Sequence, residues 1–407
     1  MATAQAPIPA SFWAYIASRF CGATGMTLLR AAVYWHVFEL SGSTFLLGLI
    51  GIAQFVPAFA LTLVGGAVAD AYDRRRIMRL AQIPLLASAA VLYGATAQGA
   101  ATVPLLYAAV FANAVAFAFD SPARQALLPS LVPEASFARA VTIASTATAL
   151  AFATGPALAG LLIGEAGIGA AYVCYGVLVA GNAVGLGWVR ELRARGERRA
   201  PSWHAVREGL AFVRRNPVVL GCMALDMLAV VLGSATALLP VYARILDVGP
   251  RGYGLLTSSL ELGALAMSLL LVLRRPIERA GPALLGAVVV YGVATALFGL
   301  SRAFPLSIAA YLVVGMADQV SVVLRQTAIQ LSTPDALRGR VSAVNMIFIA
   351  ASNQLGAARA GFLAAATSPT FAVVSGGLGC LLVVALTAWR LPALRRYRIH
   401  PGAPAGG

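Results

Sequence analysis

Apolar runs about as long as a membrane is thick recur twelve times along this chain, and few folds can accommodate that. They lie at about 12–40, 44–69, 77–98, 103–120, 139–163 and 168–190, and again at 216–243, 253–273, 281–301, 304–325, 340–364 and 369–390. A helix rises about 1.5 Å per residue against about 30 Å of hydrocarbon, so each run can cross a bilayer. Backbone inside lipid must satisfy its own hydrogen bonds, which leaves only helices and closed barrels. A barrel predicts alternating segments of about ten residues, whereas these runs are continuous Ala, Leu, Val and Gly. Charged residues make up 11% of the 407 positions, against about 25% in soluble domains. That share cannot cover a water-facing surface. The expected fold class is an all-α membrane protein with twelve transmembrane helices.

The charges that remain are patterned. Net charge is +15, and every basic residue is an arginine. Arg74, Arg75, Arg76 and Arg79 cluster in one connection, Arg274, Arg275 and Arg279 in another, and Arg338 with Arg340 in a third. The connections between these, at 41–43, 99–102, 164–167 and 365–368, are free of arginine; Arg244, Arg251 and Arg302 are the exceptions on that side. The positive-inside rule then places both termini in the cytoplasm, in a bacterial inner membrane. Arginines spread between apolar runs, rather than over one soluble face, exclude a nucleic-acid partner. Cys21, Cys174, Cys222 and Cys380 all fall within apolar runs and read as small core residues, and the three histidines make no metal spacing. No metal or cofactor is expected. Without a basic leader or cleavage site, the first run is expected to remain as a helix.

The longest connection, about 190–215, begins Arg-rich. It continues as an amphipathic helix with Trp203, Val206, Leu210 and Val213 on one face and Arg207, Arg214 and Arg215 near the lipid headgroups. It divides the chain into an amino-terminal six-helix bundle (1–190), a cytoplasmic linker (191–215), a carboxy-terminal six-helix bundle (216–390) and a tail (391–407), which is expected to be disordered beyond Arg398. The halves repeat. A gap-free shift of 201 maps Arg124 onto Arg325, Pro133 onto Pro334, Arg139 onto Arg340, Gly155 onto Gly356 and Gly160 onto Gly361. Internal repeats with the binding site at their interface mark secondary transporters.

Between the second and third runs stand Gly66, Asp70, Ala71, Asp73, Arg74, Arg75 and Arg76. This segment resembles the cytoplasmic signature of the major facilitator superfamily, Gly-x-x-x-Asp-Arg-x-Gly-Arg-Arg, with Ala71 in place of Arg and Asp73 in place of Gly. The segments from Asp120 to Pro129 and from Thr333 to Arg340 resemble its enterobactin-exporter-like branch. Gly155, Pro156 and Gly160 resemble part of the superfamily's antiporter motif. The resemblance implies two pseudo-symmetric six-helix bundles, the major facilitator fold. It also implies a cytoplasmic gate of Gly66, Asp70, Arg74 and Asp120. There Gly66 allows close approach to the eleventh helix, Asp70 faces that helix's positive end, and Arg74 pairs with Asp120. The bland alternatives are that the arginines set topology alone and that Gly155–Gly160 is a packing kink.

A charge at the bilayer centre costs about 2.5–3.5 kcal/mol on insertion scales, so each one is a functional candidate. Arg19 and Arg30 share a face of the first helix, and Asp226, Glu261 and Asp318 lie within the seventh, eighth and tenth. In the resembled fold the first, fourth, seventh and tenth helices line the cavity. This nominates Arg30, Tyr34 and Asn113 for substrate, and Asp226, Glu261 and Asp318 for proton coupling. Burial favours the neutral acid and a nearby guanidinium favours the carboxylate; a cycle that exchanges those surroundings moves protons. The alternative for these charges is a structural ion pair.

No phosphate-binding glycine loop and no nucleophile–base set stands in the connections, so neither ATP drive nor enzymatic activity is expected. The expected function is secondary active export of a drug, siderophore or metabolite by a monomeric, proton-driven antiporter using alternating access. The rivals are an uptake symporter or lysophospholipid flippase on the same fold, and a membrane sensor that transports nothing.

Overall fold

The computed structural model describes residues 8–189, 203–274 and 277–399. The Arg-rich stretch expected at the start of the linker and the tail beyond Ile399 lie outside the described residues. The chain is built from fifteen described α-helices joined by short turns: α1 (Ala10–Ser41), α2 (Thr44–Ala71), α3 (Arg74–Ala97), α4 (Val103–Leu127), α5 (Phe137–Ala166), α6 (Ile168–Trp188), α7 (Trp203–Arg215), α8 (Pro217–Gly233), α9 (Leu239–Ile245), α10 (Gly249–Leu273), α11 (Ala280–Leu300), α12 (Phe304–Leu331), α13 (Arg338–Ala366), α14 (Pro369–Arg390) and α15 (Pro392–Arg395). Eleven segments are long and apolar enough to cross a membrane, with α8 and α9 forming one of them. The twelfth crossing is α1. It has 32 residues, about 48 Å at helical rise, but Arg19, Arg30 and several hydroxyl residues dilute its apolarity.

Local chemistry sets the ends. α1 stops at Gly42, whose φ of 63° is the left-handed conformation that glycine adopts without strain. α3 starts after Asp73, whose carboxylate accepts from the Arg75 and Arg76 amides at 2.8 and 3.2 Å. The aspartate that departs from the superfamily pattern is thus an N-cap. Asn216 caps α8 in the same way, with Pro217 at the first helical position. The seventh run, expected as one helix over 216–243, is broken: α8 ends at Gly233, Ser234 is extended, and a 3₁₀ turn over Thr236–Leu238 leads into α9. Pro240 has no amide hydrogen to continue the ladder, and Gly233 is a weak helix former.

The helices gather into two compact units. The first takes the described parts of 1–42, 56–201 and 249–258; the second takes those of 43–55, 202–248 and 259–407. In the first, α1 packs on α5 and α6. A Cβ on Gly155 would lie 2.6 Å from the Thr24 carbonyl, and one on Gly25 would lie 3.3 Å from Leu178. The start of α10 joins this unit: a Cβ on Gly160 would lie 2.6 Å from the Gly254 Cα. In the second unit, the start of α2 packs on α13 in the same way, and a Cβ on Gly48 would lie 2.9 Å from the Ala358 carbonyl. Here α7 docks on the start of α13. Val213 is buried in the core with Leu210 packed against it, Glu208 pairs with Arg340, and a Cβ on Gly209 would lie 2.8 Å from the Arg340 carbonyl. Arg207, Arg214 and Arg215 stay exposed on the opposite face.

Candidate functional site

Most of the second unit's intramembrane charge meets at one point. Asp226, at mid-depth of α8, pairs with Arg325 of α12 at 3.2 Å. Arg325, only 2% exposed, also donates to the side-chain amide oxygen (Oδ1) of Asn345 on α13 at 3.1 Å. Beside the pair lies a cavity of about 10 Å³, lined by Asp226, Asp318, Ser321 and Tyr291 among others; that volume suits about one water. Asp318 and Ser321 stand on adjacent turns of α12 and face it together. Glu261 of α10 is within electrostatic reach of Asp318, as is Asp226. The unit therefore holds Asp226 and Asp318 beside Arg325, with Glu261 within reach of Asp318. In a low-dielectric interior such groups interact far more strongly than in water.

The first unit carries a polar network at the position related by the repeat. Arg124, the counterpart of Arg325, pairs with Asp120 one turn earlier on α4 at 2.9 Å. Gln82 of α3 donates to Asp120 at 3.4 Å, and Asn182 of α6 donates to Gln82 at 2.8 Å. Ser18 and Arg124 both donate to the Asn182 oxygen. Tyr15 donates to the Arg124 carbonyl and accepts from Arg19, whose Nε donates to Thr148 at 2.7 Å. Five helices, α1, α3, α4, α5 and α6, are tied together by this chain.

The gate residues separate. Arg74 donates to the Ala126 carbonyl at 2.7 Å, while the Asp120 carboxylate is held by Arg124 and Gln82. Gly66 is half-buried within α2; its neighbour Gly65 makes the close approach, to the Ala118 carbonyl of α4. The Asp70 side chain lies outside what is described. Gly155, Pro156 and Gly160 are all buried in α5, between α1 and the start of α10. Asn113 turns into its bundle, donating to Ser88 at 3.0 Å and accepting from Tyr175. Tyr34 is buried at 4% exposure, within electrostatic reach of Arg30 and Tyr107. Arg30 is half-buried.

Sequence reasoning missed Gln82, Asn182, Asn345, Ser321 and Tyr291. Each is uncharged and common in helices, so no single one stands out. The repeat did carry a usable signal: pairing Arg124 with Arg325 points to the surroundings of both.

The sequence profile of the transmembrane secretion effector family matches residues 2–403. The chain is 27% identical over 400 residues to the enterobactin exporter EntS of Shigella boydii serotype 4 (strain Sb227), covering 96% of this chain and 94% of that one. It is 26% identical over 403 residues to the EntS of Citrobacter koseri, covering 97% and 95%. Among solved structures it is similar to a bacterial homologue of the human lysosomal transporter Spinster in an inward-facing, occupied conformation, with TM-score 0.74, 14% identity and coverage of 96% and 98%. It is also similar to a POT family transporter in complex with 5-aminolevulinic acid, with TM-score 0.73, 12% identity and coverage of 95% and 97%.

Proposed function

Since this chain belongs to the transmembrane secretion effector family of major facilitator transporters, we propose that it is a proton-coupled exporter. It is a multi-pass membrane transporter of that fold and moves a small molecule. Export follows the relatives, which are exporters of a siderophore, and siderophore-like metabolites lead the substrate list. The carrying observation for coupling is the cavity shared by Asp318 and the Asp226–Arg325 pair, with Glu261 within electrostatic reach of Asp318. With Asp226 paired, Asp318 at the cavity is the proton carrier and Glu261 its relay. A proton on Asp318 removes an unbalanced charge and lowers the cost of closing the site away from water; its release restores the charge. Asp70 and Arg74 gate the cytoplasmic side. The protein works as a monomer in the bacterial inner membrane, with both termini in the cytoplasm.

The test is transport by the purified chain in liposomes under an imposed pH gradient. Enterobactin is presented first, then lipophilic drugs and lysolipids, with lumenal pH followed throughout. Substrate-dependent proton movement that is lost in D318N, with substrate binding retained, supports the reading. Substrate flux without proton flux refutes the coupling, and proton-driven accumulation in the opposite direction refutes export.

A further inference from the structure

Two arginines on α1 lie within the membrane-spanning part of the chain and are not neutralised. Arg19 and Arg30 are eleven residues apart, about three turns, so they fall on one face about 16 Å apart along the axis. Between them come Ala23 and Met26, and all four side chains are half-buried. On one flank Thr24, Thr27 and Leu28 press against α5 at Gly155; on the other Ser18, Gly22 and Gly25 press against α6. Apart from the hydrogen bond of Arg19 to Thr148 of α5, the stripe lies between the two packing faces of α1. Among the described residues, neither arginine has a carboxylate partner. Arg19 finds only neutral oxygens, from Thr148 and Tyr15. Tyr34 lies within electrostatic reach of Arg30.

A guanidinium offers five donors, and at this depth a cation is costly unless something balances it. Two arginines at the repeat-related positions show what balance looks like, since Arg124 and Arg325 each hold an aspartate; Arg359, nearer the end of α13, donates to the Ala372 carbonyl instead. We infer that the Arg19–Arg30 stripe binds an organic anion, whose acidic group (carboxylate, sulfonate or phosphate) takes the place of that missing aspartate. Arg30 supplies the main charge-assisted contact, and Arg19, already half satisfied, supplies the secondary one. Met26 and Ala23 offer an apolar strip between them, which suits an amphiphile with an acidic end. This names the substrate class of the proposed exporter and rests on that reading only for calling the anion a transported one. The same chemistry could be supplied by the headgroup of an anionic lipid.

The experiment is equilibrium binding, with no pH gradient, by the full chain in nanodiscs of phosphatidylcholine. Two dyes on one xanthene core serve as probes, anionic carboxyfluorescein and cationic rhodamine 123, read by fluorescence anisotropy. Carboxyfluorescein is expected to bind about tenfold or more tighter than rhodamine 123. R30Q should lower its affinity about tenfold, R19Q about threefold, and R30K should recover part of the loss, since the charge persists while the guanidinium fork is lost. Preference for the cationic dye, no carboxyfluorescein binding, or affinities indifferent to R19Q and R30Q would each overturn the inference. Nanodiscs of phosphatidylglycerol separate the sources: unchanged dye affinity supports a soluble anion, and displacement that R30Q abolishes makes the occupant a lipid and overturns it. Binding is read without a pH gradient, so failure of proton coupling leaves this result standing.

Discussion

Arg325 touches Asp226 and Asn345 with both charged side chains almost wholly buried, so its removal leaves a carboxylate with no counter-charge. Breaking one side of a buried pair costs about 3–5 kcal/mol, whereas replacing both sides by neutral groups is often far milder. R325Q and D226N should therefore each lower the melting temperature of the purified protein sharply, and the D226N/R325Q double variant should melt closer to wild type than either. A double variant that melts at the sum of the two losses would mean the contact is not coupled. Asp73 offers a milder test. Its carboxylate caps α3, so D73A should cost about 0.5–2 kcal/mol, D73N almost nothing and D73G only a few tenths, in a chemical or thermal unfolding series. These residues differ in how openly the sequence announces them. Asp226, Asp318 and Arg325 are visible because a charge within an apolar run is rare. Asn345 and Asn182, which complete the two networks, are invisible because a helix tolerates an asparagine for many reasons. The pairing of Arg124 with Asp120 was likewise hidden: i,i+4 neighbours compete with the partner that the family pattern suggests, Arg74, and distance along one helix favours the near one.

Helix positions were legible to within about four residues at most ends, since length and apolarity are what a bilayer selects. The exceptions have physical causes. α4 and α12 continue past the apolar stretch to Leu127 and Leu331, because polar residues there remain good helix formers at the membrane edge. The seventh crossing breaks at Ser234 because Pro240 and Gly233 act together, which an average over apolar residues cannot register. Small residues also decide how helices meet. Gly160 and Gly254 bring α5 and α10 into backbone contact, and Gly48 with Gly361 does the same for α2 and α13. No side chain fits at these crossings. G160A and G254A should each destabilise by about 1–3 kcal/mol as overpacking, and the pair should be less than additive because one displacement relieves both. Detergent-resistant melting curves of the four proteins read this directly. The linker helix gives a second element-scale prediction. Gly209 lies flat against the Arg340 carbonyl, so G209V should lift α7 from α13 and let it unwind, which speeds trypsin cleavage at the exposed Arg214–Arg215 bond, while E208Q, which removes a half-exposed ion pair worth about 0–1 kcal/mol, should leave cleavage slow.

At the scale of the whole molecule, the distribution of thirty basic residues predicts an orientation more strongly than any single site does. Loops following odd-numbered crossings should face the outside, since Gly42, Gln98 and Gly167 stand in exposed turns next to no arginine. Loops following even-numbered crossings carry Arg74–Arg76 and Arg338–Arg340 and should face the cytoplasm, where the negative-inside potential and the translocation machinery retain positive charge. The exposed Tyr72 and Asp335 mark that side. In a variant whose four native cysteines are serine, single cysteines at Gly42, Gln98 or Gly167 should react with a membrane-impermeant maleimide in intact cells. Those at Tyr72 or Asp335 should react only after the membrane is opened. The reverse pattern would invert the topology and place α7 and both termini outside. A mixed pattern, with one turn on the wrong side, would break the even count of crossings and with it the correspondence between the two halves that relates Arg124 to Arg325.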